Sequence, residues 1–326
     1  MIRTVKPVKG LMIAMILALL LLWIGPMSIV SAGVPVTVTI KVNGETVKLN
    51  GSAIIAEGRT YVPVARIAKK FGAKLNWDNA NEELYIHTAL NDTVVLGNGV
   101  PVIYFNDERY RMEAPPRLID GKLYAPLRTL ASILHARLSA TDKVIELKTV
   151  QPATVTEEYG LDGIIAQYGS SKTGLLKRNG LLKTAEVTPG TKLSVVVPDF
   201  LGKPAKPFTE ADLKLLAKIT MVEAGYESYQ GQLALANVIL NRVKSGKFPD
   251  SIRGVIYSGR QFPPAHNGLL DKSKPHASAL RAAKDALNGK NNIGNAVYFY
   301  NPAVTKGAFW SSLDVVATIG HHRFAC

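Results

Sequence analysis

Two glutamates four positions apart, Glu223 and Glu227, stand in the segment Met221-Val-Glu-Ala-Gly-Tyr-Glu-Ser-Tyr-Gln-Gly-Gln232. A carboxyl group can donate a proton, accept one or attack carbon, and its surroundings decide which. Glu223 falls on the last predicted turn of a helix, where the partial negative charge of the C-terminal end disfavours a carboxylate. Met221 and Val222 add desolvation if that helix packs into a core. Both effects favour the neutral acid. An acid that keeps its proton near neutral pH can protonate the leaving oxygen of a glycosidic bond. The position alone also fits a solvated helix end, which is the commoner case.

Two helices must position this residue. Thr209-Glu-Ala-Asp212 has the form of an N-cap with a carboxylate at the third helical position. Leu213, Leu216, Ala217 and Thr220 then recur at helical spacing, and Gly225 supplies the stop. Leu233, Ala236, Asn237, Leu240 and Val243 give a second amphipathic pattern that ends at Ser245-Gly246. Further on, His276 to Leu287 reads as a helix closed by Asn288-Gly289, Ala296 to Tyr300 as a short strand, and Asn301-Pro302 as a turn. Glu227 would share a face with Glu223 only if the first helix ran on, and Gly225 argues against that.

The same segment, with Val238-Ile-Leu-Asn-Arg-Val243 after it, resembles the SleB/CwlJ family of cell wall hydrolases, the spore cortex-lytic enzymes. The matches continue through Phe248-Pro249, Gly254-Val-Ile-Tyr257, Gln261-Phe262 and Ala286-Leu-Asn-Gly289. They then take in Tyr298-Phe-Tyr-Asn-Pro302, Trp310 and Ile319-Gly-His-His-Arg-Phe324, so that residues 209–326 are covered. No single match is specific; their number and order are. The resemblance implies an α+β domain, mainly helical and lysozyme-like (lytic transglycosylase-like), with a groove between lobes for a glycan strand. It implies Glu223 as the catalytic residue. It also implies glycan contacts from Tyr229, Gln261, Phe262, Tyr298, Tyr300 and Asn301, with Glu227 orienting substrate or fixing the loop. One departure stands out: the family pattern Glu-Ala-Arg-Gly-Glu here reads Glu223-Ala-Gly-Tyr-Glu227.

Most glycosidases use two carboxyl groups. Besides the capping Glu210 and Asp212, the other acids of this region are Asp250, Asp271, Asp285 and Asp314, and none has a distinctive context. A mechanism with one carboxyl group suits such a sequence. The resemblance implies one: lytic transglycosylation of peptidoglycan, in which Glu223 protonates the oxygen between N-acetylmuramic acid and N-acetylglucosamine. Its carboxylate then takes the proton of the muramic C6 hydroxyl as a 1,6-anhydro ring closes. His321-His322 could suggest zinc, with His266 and His276 as further ligands, but no metal-ligand spacing joins them. No metal and no cofactor is expected; His322 is read as structural, and Asn241 as a buried amide.

The formal charge of +14 suits polyanionic partners, and the address selects among them. Residues 1–32 have the form of a secretory signal peptide: Arg3, Lys6 and Lys9, the apolar run Leu11 to Trp23, and Val30-Ser-Ala32 before Gly33. An uncleaved membrane anchor is the alternative, although the apolar run is short for a span. Either way the chain is secreted to the cell envelope. That makes nucleic acid an unsuitable partner and leaves peptidoglycan glycan strands and anionic wall polymers. Membrane contact is expected only if the signal stays uncleaved. The single cysteine, Cys326, excludes an intramolecular disulfide framework.

Residues 33–149 carry an internal repeat: Gly58-Arg-Thr-Tyr-Val-Pro63 returns as Gly121-Lys-Leu-Tyr-Ala-Pro126, 63 positions later. Each copy continues into a short helix (Val64 to Phe71, Leu127 to Leu134). A strand pair follows, Ala73–Trp77 with Glu83–Ile86 and Ala136–Ser139 with Val144–Leu147. Thr141-Asp142 supplies a turn, and Val36 to Val42 alternates as one preceding strand. This unit resembles the copper amine oxidase N-terminal-like domain, which implies an α+β stalk or wall-binding module. His87 and His135, its only histidines, have no ligand spacing, so no copper is expected. Residues 150–208 read as a linker or small subdomain ending in a semi-extended, proline-marked tether (Pro198, Pro204, Pro207). Residues 209–326 are the catalytic domain. Two other readings are an N-acetylmuramoyl-L-alanine amidase, which lacks a metal or nucleophile constellation here, and a non-catalytic cell-wall-binding protein.

Overall fold

The computed structural model describes residues 33–141, 143–259 and 261–326. The expected signal at 1–32 and Asp142 of the second hairpin turn lie outside them.

The alternation from Val36 to Val42 resolves into two strands rather than one, β1 (Val34–Val36) and β2 (Thr39–Val42), which join different sheets; β3 (Glu45–Thr46) follows. The first copy of the repeat is β4 (Ala53–Ala56), β5 (Arg59–Pro63), α1 (Val64–Lys70) and the hairpin β6 (Lys74–Asp78) with β7 (Glu83–His87). Strands β8 (Thr93–Gly97), β9 (Val102–Phe105) and β10 (Glu108–Arg111) extend that hairpin into a five-stranded sheet. The second copy is β11 (Arg117–Ile119), β12 (Lys122–Pro126), α2 (Leu127–Ile133) and the hairpin β13 (Ala136–Ala140) with β14 (Val144–Thr149). The two copies meet at β5 and β12, which pair antiparallel with Val62 opposite Ala125. Pro63 and Pro126 end those strands and stand at the N-caps of α1 and α2. A fixed proline φ suits the change from strand to helix, and a missing N–H costs nothing there.

The segment read as a linker or small subdomain is packed. Strand β15 (Ala153–Thr154), α3 (Leu161–Tyr168), α4 (Lys172–Arg178) and β16 (Lys192–Leu193) enclose Val155, Ile164, Leu175, Leu193 and Val195. Two buried polar groups fasten this unit to the first sheets. Arg178 donates to both oxygens of Asp92, at 2.8 and 2.6 Å. His135 donates from Nδ1 to Val150 O and accepts at Nε2 from the N–H groups of Val195 and Val196. Burial holds the His135 pKa below its ordinary value, and an Nε2 that accepts two N–H bonds must be unprotonated.

The proline-marked stretch is not a free tether. Phe200 enters the first core beside Phe105 and Tyr110. Arg111 N donates to Lys203 O and Ala205 N to Arg109 O, which adds this stretch to the edge of β10. An open sheet edge presents unpaired backbone groups, and these bonds satisfy them.

The C-terminal region is mainly helical: α5 (Glu210–Ala224), α6 (Tyr229–Lys244), α7 (Ile252–Tyr257), α8 (Leu269–Lys272), α9 (Ala277–Leu287) and α10 (Ala308–Ser311). Strands β17 (Tyr298–Tyr300), β18 (Val315–Ile319) and β19 (His322–Ala325) form one antiparallel sheet with β19 in the middle. Helix α6 is buried nearly all round. Leu233, Ala236 and Ile239 join the helical core, while Ala234 and Val238 face Phe324 of the sheet. A helix apolar on every face belongs at a centre. The α+β, mainly helical expectation is met.

Helix α9 docks this region on the repeat domain. Arg281 meets Glu82 and Lys284 meets Glu83, both at 2.7 Å, while Arg109 donates to Asn288 and Lys290 to Asn98 O. Among the described residues no helix is long and apolar enough to cross a membrane.

Candidate active site

Glu223 lies on the last turn of α5, as the capping pattern requires. Thr209 and Asp212 form the complete capping box at the other end. The Glu223 side chain is half-buried, and burial pushes its carboxyl pKa up. No hydrogen bond or ion pair involving its carboxyl is found among the described residues. Desolvation without a compensating donor favours the neutral form.

The helix stops at Gly225, as expected from the sequence, but without a left-handed turn. Gly225 has a helical φ of −60°, so no left-handed glycine cap is present. Its carbonyl is instead drawn off by His276 Nε2 (3.1 Å) and the Gln232 amide (3.3 Å). Ser228 then caps α6 by accepting from Gly231 N. A Cβ at position 225 would fall 2.4 Å from Met221 O, so the arginine of the family pattern does not fit this backbone path.

The Glu227 carboxyl is shifted in the opposite direction. Its Oε1 accepts from His321 Nδ1 (2.9 Å) and His321 N (3.3 Å), and His322 Nδ1 stands 3.4 Å away. Burial alone would raise its pKa, but the His321 bonds and the two imidazoles outweigh burial and lower it. Its side chain is only 9% exposed. The other oxygen, Oε2, lies where a Cβ on Gly320 would be, 1.8 Å away, and Gly320 has a φ of +58°. We expect Gly320→Ala to lower stability by about 1–3 kcal/mol, read as a fall in melting temperature with a parallel loss of activity.

The remaining residues named from the sequence separate into two groups. Phe262 is fully buried at 0%, stacked on Phe299 and beneath Arg242, so it is a core residue and not a sugar contact. Tyr300 is 7% exposed and packs on Trp310, which also removes it from the binding set. Tyr229 is half-buried: its hydroxyl donates to Asp285 at 2.5 Å, and Arg281 and Lys290 lie over its ring. Burial and then the Asp285 charge push that phenol upward. Asn301 spends its Oδ1 on Ala303 N. Gln261 is exposed, and Tyr298 is half-buried between Phe248 and Phe309. Side chains alternate along β17, so Phe299 turns inward to Phe262 and His322 while Tyr298 and Tyr300 face α10.

His322 is structural, as read from the sequence: it packs edge-on against Phe299 and beside Phe324, and burial lowers its pKa against the pull of Glu227. Asn241 is the buried amide expected, donating to Gly294 O and Ala296 O. Sequence reasoning missed Gln232, His276 and Gly320, which set the geometry of the turn. His276 reaches Gly225 O across 51 residues and Ser278 reaches Gln232 across 46, and no local pattern marks such contacts. Among the described residues no cluster of three or more His, Cys, Asp or Glu could hold a metal ion.

Residues 226–325 match the cell wall hydrolase family, and residues 41–147 the copper amine oxidase N-terminal domain. The first match begins at Tyr226, three positions after Glu223. A spore cortex-lytic enzyme of Oceanobacillus iheyensis is 33% identical over 188 residues, which are 56% of this chain and 64% of the relative. One from Halalkalibacterium halodurans is 40% identical over 118 residues, 36% of this chain and 35% of the relative. The chain thus spans from about a third to just under two thirds of these relatives. A solved structure, the catalytic domain of the germination-specific lytic transglycosylase SleB from Bacillus anthracis, is 34% identical, covering 37% of this chain and 98% of that one, with a TM-score of 0.35.

Proposed function

We propose that this chain, which carries a cell wall hydrolase domain at residues 226–325, cleaves the bond between N-acetylmuramic acid and N-acetylglucosamine in peptidoglycan as a lytic transglycosylase. The observation that supports the reading is the contrast between the two glutamates: Glu223 is desolvated, without a partner among the described residues and raised in pKa, whereas Glu227 is lowered in pKa and engaged by His321 and His322. One site therefore holds a ready acid and no equally free second carboxylate.

Glu223 gives its proton to the glycosidic oxygen as the bond to the muramic C1 breaks. The Glu223 carboxylate then accepts the proton of the muramic C6 hydroxyl while that oxygen bonds to C1. The acid is regenerated, and the products are a free N-acetylglucosamine hydroxyl and a 1,6-anhydromuramic end. The nucleophile is already part of the substrate, so proximity replaces an activated water. Glu227 fixes the loop by tying it to the turn between β18 and β19. The chain works in the cell envelope, exported by its N-terminal segment, and its positive charge holds it on anionic wall polymers. The repeat domain serves as the stalk, and spore cortex during germination is the substrate that the relatives suggest.

The test is digestion of purified cortex and vegetative peptidoglycan by the mature chain, with products separated by mass. We expect cuts between muramic acid and glucosamine. New alanine amino termini would mean an amidase, and wall binding without any cut would mean a binding protein; either result overturns the proposal.

A further inference from the structure

We propose that Tyr226 is a sugar-stacking platform beside the acid, taking the face of an N-acylated pyranose next to the scissile bond. This rests on the reading of Glu223 as an acid that acts on a glycan strand. Tyr226 is 107% exposed, so its ring packs on nothing, yet the backbone on both sides of it is tied down. Gln232, itself 2% exposed, donates to Glu227 O (2.9 Å) and Gly225 O (3.3 Å), the two carbonyls that flank Tyr226. Its Oε1 accepts from the Ser278 hydroxyl at 2.7 Å, so the amide orientation is fixed. His276 grips Gly225 O through Nε2 while Nδ1 accepts from Ala279 N, which fixes its tautomer as well. Glu227 adds its bonds to His321.

A free aromatic ring on a pinned turn is a preorganised binding element. The backbone ordering cost is met before ligand arrives, and only two side-chain torsions remain to be fixed. The ring offers an apolar face for the C–H groups of a pyranose and a hydroxyl for its amide or hydroxyls. Chain reach alone keeps the Tyr226 and Glu223 Cα atoms within about 11 Å, a span that a disaccharide covers. The family pattern has glycine at this position, so the platform is a property of this chain and adds binding to a reaction the turn already supports.

The test uses the full mature chain and soluble glycan strands. Tyr226→Ala should raise KM about tenfold with kcat within about twofold, because uniform binding is lost. Melting temperature should not move, since the ring packs on nothing. Tyr226→Phe and Tyr226→Trp should keep KM near the parent value, as stacking demands. On a Glu223→Gln background, Tyr226→Ala should weaken strand binding by the same factor. Unchanged KM and binding in Tyr226→Ala would overturn the proposal, as would a Phe variant that behaves like Ala. If the parent chain cleaves no glycan at all, the reaction assigned to Glu223 fails, and the binding arm still decides Tyr226.

Discussion

Glu223→Gln should lower kcat by about 10³-fold or more while the chain keeps its fold and its affinity for glycan. Gln keeps the shape and removes the transferable proton. The pH dependence has a definite sign. Burial raises the Glu223 pKa in the folded state, so the working acid is present at low pH and is lost as pH rises through that raised value. The rate should fall along the same limb, with no such limb in the residual rate of the Gln variant. Stability carries the same signature. A carboxyl raised on folding contributes its stability in full below the unfolded glutamate range and loses it as pH climbs through the folded pKa. The Gln variant avoids that loss, so it should melt above the parent at neutral pH and level with it under acid conditions. A raised residue that stabilises nothing when ionised is the mark of a functional group. Equal melting temperatures at all pH values would show Glu223 to be an ordinary surface acid.

Arg178→Met should destabilise the N-terminal part by about 3–5 kcal/mol, measured by denaturant titration. The guanidinium is 2% exposed and its Asp92 partner 6%, so removing one charge strands the other away from water. The Asp92 carboxylate also accepts from the Asn106 amide (2.9 Å) and the Thr88 hydroxyl (3.4 Å), neutral donors that position it firmly but cannot balance its charge. Adding Asp92→Asn should recover part of the loss, because a neutral amide tolerates the same site. A segment that hung as a flexible tether would show no change in either variant. The link matters beyond stability: the stretch after this unit lies along β10, and α9 is salt-bridged to Glu82 and Glu83, so the repeat domain and the C-terminal helices are directly joined.

The parts of this structure that could be read in advance are those that short-range chemistry specifies. The Thr209–Asp212 capping box, the two proline-led helices of the repeat and the Asn241 amide inside an apolar helix each follow from residues within a turn or two of one another. Glu223 was legible for the same reason, since the helix end and its apolar neighbours are local. What failed was long-range. Phe262 and Tyr300 look like sugar-binding aromatics in a loop and a strand, but whether a ring is covered depends on Phe299 and Trp310, which only the fold brings to them. The partners of Tyr229 are equally distant in sequence: Asp285 and two cations on another helix and loop. The proline-marked stretch reads as extended either way; only the unpaired edge of β10 makes it part of a sheet.

The most direct test of the one-carboxylate mechanism is digestion in water enriched in oxygen-18, with the new ends trapped at once by borohydride and weighed. Intramolecular closure predicts 1,6-anhydromuramic ends that resist reduction and carry no heavy oxygen, all of them absent with Glu223→Gln. A reducible muramic end bearing one heavy oxygen would contradict the account. It would mean that water attacks, and it would require a second carboxylate, with Glu227 the first to be examined in that role.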